Sequence, residues 1–547
     1  YPDRSWERVY LDQYRYDSSF TWCCSPNDTH GCRVRAFVRN GVVMRVEQNY
    51  DHQTYEDLYG NRGTFAHNPR MCLKGFTFHR RVYGPYRLKG PLMRKGWKQW
   101  MDDGSPELTP DVKRKYKFDS RFLDDLNRVS WDTAFTYVAK AAVLIATRYS
   151  GEAGARRLRE QGYAPEMIEM MKGAGVRTFK HRAGMPVLGI VGKMMNTRFN
   201  GGCLPLLDSW IRKVDAEKAQ GGKYYSNYTW HGDQDPSHPF WNGTQNCDVD
   251  LSDMRFSKLN TSWGKNFVEN KMPEAHWKLE SIERGARIVV ITPEYDPTAY
   301  RADYWIPLRP ETDGATFLGA CKIIFDENLQ DIDYIKEFSD LPLLVRTDTL
   351  QYLDPRDVIA DYKFPDFSKS YSGRIQSLKP EQIERLGGMM VWDLAKGKAV
   401  PLHREQVGFH FKESGIDPAL TGTFRVKLLN GREIDVMSIY QMYQVHLQDY
   451  DLDTTHQITR APKDLIVRWA RDSGTIKPAA MHNGEGVCHY FHMTEMGRAA
   501  ALVMTITGNI GKFGTGCHTW SGNYKAGIWN AVPWSGAGLA VHTGEDP

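Results

Sequence analysis

The sequence predicts an α/β protein of several domains with a mostly parallel sheet, preceded by a β-rich segment. Three observations carry this expectation. The run RIVVIT begins at Arg287, directly after a helical stretch, EAHWKLESIERG, that ends at Gly285. An apolar run of that length after a helix is the pattern of a strand buried on both faces. Two further segments, SKLNTSWGKN and ADYWIPLRPETDGA, read as strands running into glycine or polar turns. Strands alternating with helices imply a parallel sheet. Finally, 547 residues exceed what one core accommodates, so two to four domains are expected.

The elements follow in chain order. In RVRAFVRNGVVMRVEQ, Val34, Ala36 and Val38 alternate with charged residues, and Val42, Met44 and Val46 alternate again after Asn40-Gly41. Asn-Gly between such runs is a strong hairpin signal, because both turn positions take positive φ. SWDTAFTYVAKAAVLIATRY has apolar residues at helical spacing, with Ser130 placed to cap the first turn. In the last third, IVRWARDSGTIKPAAMHNGEGVCHYFH reads as helix, linker, strand and polar glycine loop. MGRAAALVMTITGNIGKFGTGCHTWSGN then reads as a helix entering a glycine-rich loop between Gly508 and Gly522. Segments 214–258 and 363–405 read as long insertions of mixed polarity. Ligands in parallel sheets gather at the carboxyl ends of strands. ITPEY, SWGKN and LRPETDG all fall at such ends, and together they point to a dinucleotide-like ligand.

Composition narrows the function classes. Hydrophobic content of 41% and charged content of 25% are those of an ordinary globular protein. A net charge of +5 is too small to indicate a nucleic-acid partner. The longest apolar stretch, AKAAVLIATRYS, is far short of the roughly 20 residues of a membrane span. The chain opens on Tyr1, as expected of a processed or trimmed start, and Arg80-Arg81 lies too far inside to be an export signal. Of nine cysteines, four cluster in sequence, which favours a local metal site over scattered disulfides.

That cluster is Cys23, Cys24, Cys32 and Cys72, with Asp28 and His30 between them. Zinc sites prefer two close cysteine pairs, and only one half is present. An iron–sulfur cube tolerates a wide loop and a non-cysteine fourth ligand, so the spacing favours it over zinc or structural thiols. DTHGCRVRAFVRNG followed by NPRMCLKG resembles the cluster-binding segment of the molybdopterin oxidoreductases, the dimethyl-sulfoxide-reductase superfamily. In the respiratory nitrate reductase branch the pattern is His-x3-Cys-x3-Cys, a hairpin, and a late Cys before a basic residue and Gly. Here Cys24 stands at the His position and Asp28 at the first Cys position, a departure that resembles the nitrite-oxidising members of the branch. The resemblance spans essentially the whole chain. It implies a [4Fe-4S] cluster on Cys24, Asp28, Cys32 and Cys72, with Cys23 and His30 as a buried thiol and a loop imidazole.

It also implies a fold, a site and partners. GGCLPLLDSW resembles the segment whose carboxylate binds molybdenum, which makes Asp208 the ligand; on the residues alone Asp208 reads sooner as an N-cap of the following helix. A hard carboxylate oxygen suits a high-valent metal. Two molybdopterin guanine dinucleotides are implied. Trp263, Gly264 and Asn266 match one cofactor loop; Thr292, Glu294, Arg309, Thr312 and Asp313 match the nucleotide ends; Gly511 and Gly514 border the other cofactor. Lys74 would lie between pterin and cluster. Asn483, Glu485 and His489 are candidates to position substrate or contact pterin, with satisfied loop polar groups as the alternative. The implied reaction takes nitrite and water to nitrate, two protons and two electrons, or runs in reverse as a nitrate, selenate or perchlorate reductase. A rival of another class is an iron–sulfur or zinc electron-transfer scaffold without chemistry of its own. An iron–sulfur β subunit and a haem γ subunit are the implied partners, in a periplasmic or anammoxosome setting. The expected domains are 1–100 for the iron–sulfur segment, 101–330 for an α/β molybdopterin-binding domain with the metal ligand, and 331–547 for a second such region. Because the family is about twice this length and ends in a β-barrel, this chain is expected to be a fragment.

Overall fold

A computed structural model describes residues 3–24, 32–49, 70–120, 122–183, 198–220, 223–226, 251–364, 379, 381–382, 388–402 and 410–518. Asp28, His30, the side chains of Cys23 and Glu485, and most of the two insertions lie outside what is described. The chain divides into two compact units: residues 1–230 with 523–547, and 231–522.

The first unit opens on an antiparallel sheet of β1 (Ser18–Cys24), β2 (Cys32–Arg39) and β3 (Val42–Gln48), in that order. The expected hairpin is β2–β3, and its turn residues Asn40 and Gly41 have φ of 50° and 75°. Alternation is the reason it holds: Val34, Ala36 and Val46 are buried on one face, where they meet Cys24, Cys32 and Met71. Strand β1 was not anticipated, because SSFTWCC carries little alternation of its own. Helix α1 (Leu73–Val82) is tied to the hairpin by Val43 N–H, which donates to Tyr83 Oη at 3.1 Å. Helix α2 (Trp131–Arg148) starts as expected, with Ser130 Oγ accepting from Thr133 N at 3.1 Å. Helix α3 (Leu204–Arg212) follows a π-turn over Phe199–Cys203.

The second unit is the α/β body. Its strands are β4 (Leu259–Trp263), β5 (Arg287–Ile291), β6 (Tyr304–Ile306), β7 (Ala479–Asn483) and β8 (Gly516–His518). All pair in parallel, in the order β6-β5-β4-β7-β8. Residues 516–518, expected within the glycine-rich loop, form this last strand. Three residues are too few to show a pattern, and only pairing with Ala480, Met481 and His482 makes them a strand. Chain direction across the sheet reverses between β4 and β7, the position where open α/β sheets bind ligands.

Helices α4 (Phe267–Asn270) and α5 (Ala275–Glu283) follow β4, and α6 (Asp313–Asp326) follows β6. Helices α7 (Lys463–Thr475) and α8 (Met493–Ile506) flank β7. One sheet face, carrying Leu259, Trp263, Val289, Ile291 and Met481, packs on Phe317, Trp469 and Val503 of α6, α7 and α8 in the main core. Within it, Trp469 Nε1 donates to Thr261 Oγ1 at 3.1 Å. Left unpaired, that indole N–H would cost about 1–3 kcal/mol. Between α6 and α7 lies an antiparallel part absent from the sequence reading. Strands Leu344–Arg346, Glu433–Ser438 and Thr423–Lys427 form one sheet, and Met389–Asp393 pairs with Lys398–Leu402. These strands have small cores of their own around Val436 and Val391.

Candidate functional site

In the first unit, the β1–β2 pairing makes Cys24 and Cys32 register partners, and both are buried. Cys72 is the residue before α1, with extended backbone, and is half-buried. Its segment is held by Gln48, whose Oε1 accepts from Met71 N at 2.6 Å. Gly75 in the first turn of α1 lies against Met71 and beside Cys24: a Cβ there would be 2.4 Å from Met71 Cγ and 3.5 Å from Cys24 Sγ. Three of the four expected cluster ligands are thus gathered at one end of the hairpin. Lys74 lies in the same first turn, exposed. Among the described residues no three His, Cys, Asp or Glu side chains converge on a single metal ion. A four-iron cluster makes a different demand, since each ligand binds its own iron.

Asp208 lies inside α3, not at its start, so the N-cap alternative falls. It is 1% exposed. Oδ2 accepts from Gln220 N at 2.8 Å, Arg212 Nε stands 3.5 Å from Oδ1, and Oδ1 takes no hydrogen bond.

In the second unit, the loops after β4 and β7 interlock. Gly484 N–H donates to Trp263 O at 2.9 Å, and a Cβ on Gly484 would lie 2.1 Å from Gly264 O. Gly264 has φ of +56°, and its Cβ would meet Val487 Cγ1 at 2.4 Å. Trp263 Nε1 donates to Asp313 Oδ1 at 2.7 Å, joining two expected cofactor residues from different loops. Burial pushes the Asp313 carboxyl above the usual carboxylate range, opposed by that indole bond. Asn266 caps α4, accepting from Glu269 N at 3.1 Å. Thr292 Oγ1 donates to Glu294 O, and Trp305 Nε1 donates to Thr292 O at 2.9 Å. Thr312 Oγ1 donates to Arg309 O at 2.7 Å, with the Arg309 and Glu294 side chains exposed. Asn483 is buried at the end of β7, and His489 is exposed. Gly514 is clamped by Asp253 and Ser257: its N–H donates to Asp253 Oδ2 at 2.6 Å, and Ser257 Oγ donates to its carbonyl at 2.7 Å. Gly511 faces open space with φ of +79°.

Sequence reasoning missed a second set of residues on the opposite sheet face. There Lys278 of α5 is fully buried and donates to Ser262 Oγ at 2.6 Å and Asn260 Oδ1 at 3.2 Å. Burial lowers its pKa to about 7, with the Asp296 charge opposing. Beside it, burial holds His482 well below its ordinary pKa, and positive neighbours add to the effect. His518 is lowered by burial to about 4. The signal was present in the polar alternation of LNTSW inside a buried strand, and in a histidine within each of AAMHN and GTGCH.

A parallel sheet whose strand order switches between β4 and β7, with loops interlocking at that switch, defines an open α/β protein of the kind that binds ligands there. The chain belongs to the molybdopterin oxidoreductase family, whose profile matches residues 192–539. Membership implies a molybdenum–pterin cofactor. The chain is similar to the perchlorate reductase alpha subunit of Dechloromonas aromatica, 27% identical over 95% of this chain and 48% of that protein. It is also similar to the respiratory nitrate reductase alpha subunit of Haloferax mediterranei, 28% identical over 98% of this chain and 46% of that protein. The chlorate reductase alpha subunit of Ideonella dechloratans is 25% identical over 94% of this chain and 46% of that protein. The chain therefore spans about half the length of these relatives.

Proposed function

We propose that this chain is part of the catalytic alpha subunit of a nitrite oxidoreductase, oxidising nitrite to nitrate with oxygen from water. The observation that carries the reading is the cysteine end of the first unit. Cys24 and Cys32 face each other across β1–β2, and the first turn of α1, which follows Cys72, lies beside Cys24 at Gly75. The departure at Cys24 and Asp28 in the sequence turns that reading towards nitrite oxidation. In this assignment Cys24, Asp28, Cys32 and Cys72 hold a [4Fe-4S] cluster, and Lys74 supplies a cation between cluster and pterin. The described residues fit the implied cofactor. Asp208 offers a buried oxygen with lone pairs that no hydrogen bond occupies. Gly264 and Gly484 let the loops after β4 and β7 pack together at the switch point, where side chains would run into Val487 and the Gly264 backbone.

The cofactor, a molybdenum bis(molybdopterin guanine dinucleotide), would supply oxygen-atom transfer coupled to two electrons. The chain's part is to ligate through Asp208, to orient the dinucleotides through the loops at Trp263–Asn266, Thr292, Glu294, Arg309, Thr312, Asp313, Gly511 and Gly514, and to position substrate through Asn483, Glu485 and His489. A cluster held by Cys24, Asp28, Cys32 and Cys72 would pass electrons singly towards an iron–sulfur beta subunit and a haem subunit. The division at residues 100 and 330 and the periplasmic or anammoxosome setting belong to the same proposal and rest on the resemblance. Among the described residues no helix is long and apolar enough to cross a membrane.

A second reading, a reductase of nitrate or another oxyanion, is favoured by the names of the similar proteins, all reductases. The native complex decides between them. Nitrite-dependent reduction of a high-potential acceptor, with molybdenum and iron present, is the expected result. Inert nitrite with brisk dye-driven reduction of nitrate moves the protein to the reductase side. Absence of molybdenum leaves only the electron-transfer scaffold.

A further inference from the structure

The face of the central sheet away from the main core is polar at its carboxyl end. Asn260 and Ser262 of β4 point there with His482 of β7, the register partner of Ser262, and with His518 beside it on β8. Phe267 forms the centre: its ring lies 4.7 Å from Lys265 Nζ, 5.2 Å from Lys278 Nζ and 5.7 Å from the His482 ring. The His482 and His518 rings are 4.9 Å apart. All of these residues are buried.

The hydrogen-bonding balance of this layer is one-sided. Lys278 has three N–H groups and two described acceptors. Because Asn260 Oδ1 takes one of them, the amide presents Nδ2, which has no partner. His482 is 1% exposed, and neither ring nitrogen has a hydrogen-bond partner. The carboxylate whose charge acts on Lys278 is Asp296, and its Oδ1 is already committed to the N–H groups of Thr298 and Ala299, at 2.8 and 3.0 Å. Unmatched donors and basic groups inside a fold are expensive unless something neutralises them. A metal cation would be repelled by Lys278, whereas an anionic oxygen would use the unmatched N–H groups of Lys278, Asn260 and His482.

We propose that Lys278, Asn260 and His482 form a buried site for one anionic, oxygen-rich group: a phosphate or a small oxyanion. It lies at the β4–β7 switch, where the fold places ligands. Lys278 supplies the charge, Asn260 and His482 the directed hydrogen bonds, and Phe267 the floor. The group has two conceivable sources, a phosphate of the dinucleotide cofactor or a free oxyanion. The site itself does not depend on nitrite being the substrate.

The test uses the full protein prepared without and with its cofactor. Cofactor-free protein is titrated with inorganic phosphate and with nitrate by calorimetry. Bound pterin in the loaded protein is measured after release. If phosphate or nitrate binds, and Lys278→Met and His482→Gln each weaken binding at least tenfold, the site takes a free oxyanion. If neither anion binds but both variants, folded by circular dichroism, retain at least tenfold less pterin, the site holds a cofactor phosphate. If neither anion binds and both variants keep full pterin, the proposal is overturned and the layer holds only water. Should one variant fail to fold, the other decides. A negative nitrite assay leaves each of these outcomes unchanged, so the two proposals fail separately.

Discussion

Replacing Lys278 with Met exposes the buried layer through the pH dependence of stability. Burial lowers the Lys278 pKa from 10.5 to about 7. At about 1.4 kcal/mol per unit, that fall corresponds to roughly 5 kcal/mol for keeping the ammonium charged inside the fold. Below pH 7 the lysine is protonated in both folded and unfolded chains, so this penalty is felt in full. Between about 7 and 10.5 the folded chain has lost the proton while the unfolded chain still binds it, and stability rises with pH. Above that window both states are neutral and the penalty is gone. The variant lacks the titration, and all other groups cancel in the comparison. It also strips Ser262 Oγ and Asn260 Oδ1 of their donor, a loss of about 1–3 kcal/mol each that does not vary with pH. The assay is urea unfolding of both proteins, free of cofactor and phosphate, between pH 7.5 and 10.5. His482 and His518 stay out of the comparison there, being neutral in both states above about pH 7.5. The stability difference is expected to move by several kcal/mol in favour of the wild type as pH rises. A difference that stays constant across the window would refute the reasoning, because Lys278 would then titrate as an ordinary lysine.

His518 gives the acid counterpart. Its pKa falls from 6.5 to about 4, so the unfolded chain binds a proton in that window that the folded chain refuses. Stability is then lost as pH drops from about 6.5 to 4, by roughly 3 kcal/mol, and His518→Gln should flatten that limb of the unfolding curve. Gly484→Ala sets a Cβ 2.1 Å from the backbone oxygen of Gly264. Backbone cannot yield as a side chain does, so a loss of at least about 2–3 kcal/mol and a fall in bound pterin are expected, read by unfolding and by released pterin. Asp208→Ala should purify with iron but with at least tenfold less molybdenum; full molybdenum in a folded variant removes Asp208 as the ligand. Asp28→Cys should keep a four-iron signal while shifting its potential, and a redox titration showing no shift takes Asp28 out of the ligand set.

Legibility in the sequence followed the length and regularity of each pattern. The β2–β3 hairpin, the capped helix α2 and the strands β4, β5 and β7 were readable because alternation, a cap or an apolar run spans five or more residues. Strand β8 was not, since three residues become a strand only through their partner. The antiparallel part between α6 and α7 was missed because its strands are short and fall in stretches of mixed polarity. Among site residues, Cys24, Cys32 and Cys72 announced themselves by clustering, but the packing of α1 against Met71 and beside Cys24 is something no spacing rule singles out. Asp208 was legible only by resemblance, because a single acid in LPLLDSW carries no local sign of whether it caps a helix or sits buried within one. Lys278 was invisible for a different reason: on its helix it looks like any solvated lysine, and only the fold seals it against Asn260 and Ser262.

The two faces of the central sheet show why that last failure is informative. On one face, strands β4, β5 and β7 present Leu259, Trp263, Val289, Ile291 and Met481 to apolar helices. That face would stabilise any protein of this fold. On the other, the same strands spend Asn260, Ser262 and His482, residues that contribute little to a core and cost several kcal/mol if left unpaired. A stable fold has no need of such a layer, and apolar residues of similar volume would serve it better. Its position at the carboxyl ends beside the switch point, and its excess of donors over acceptors, are what a ligand requires. The polar face is therefore the part of the sheet that stability does not explain, and function must.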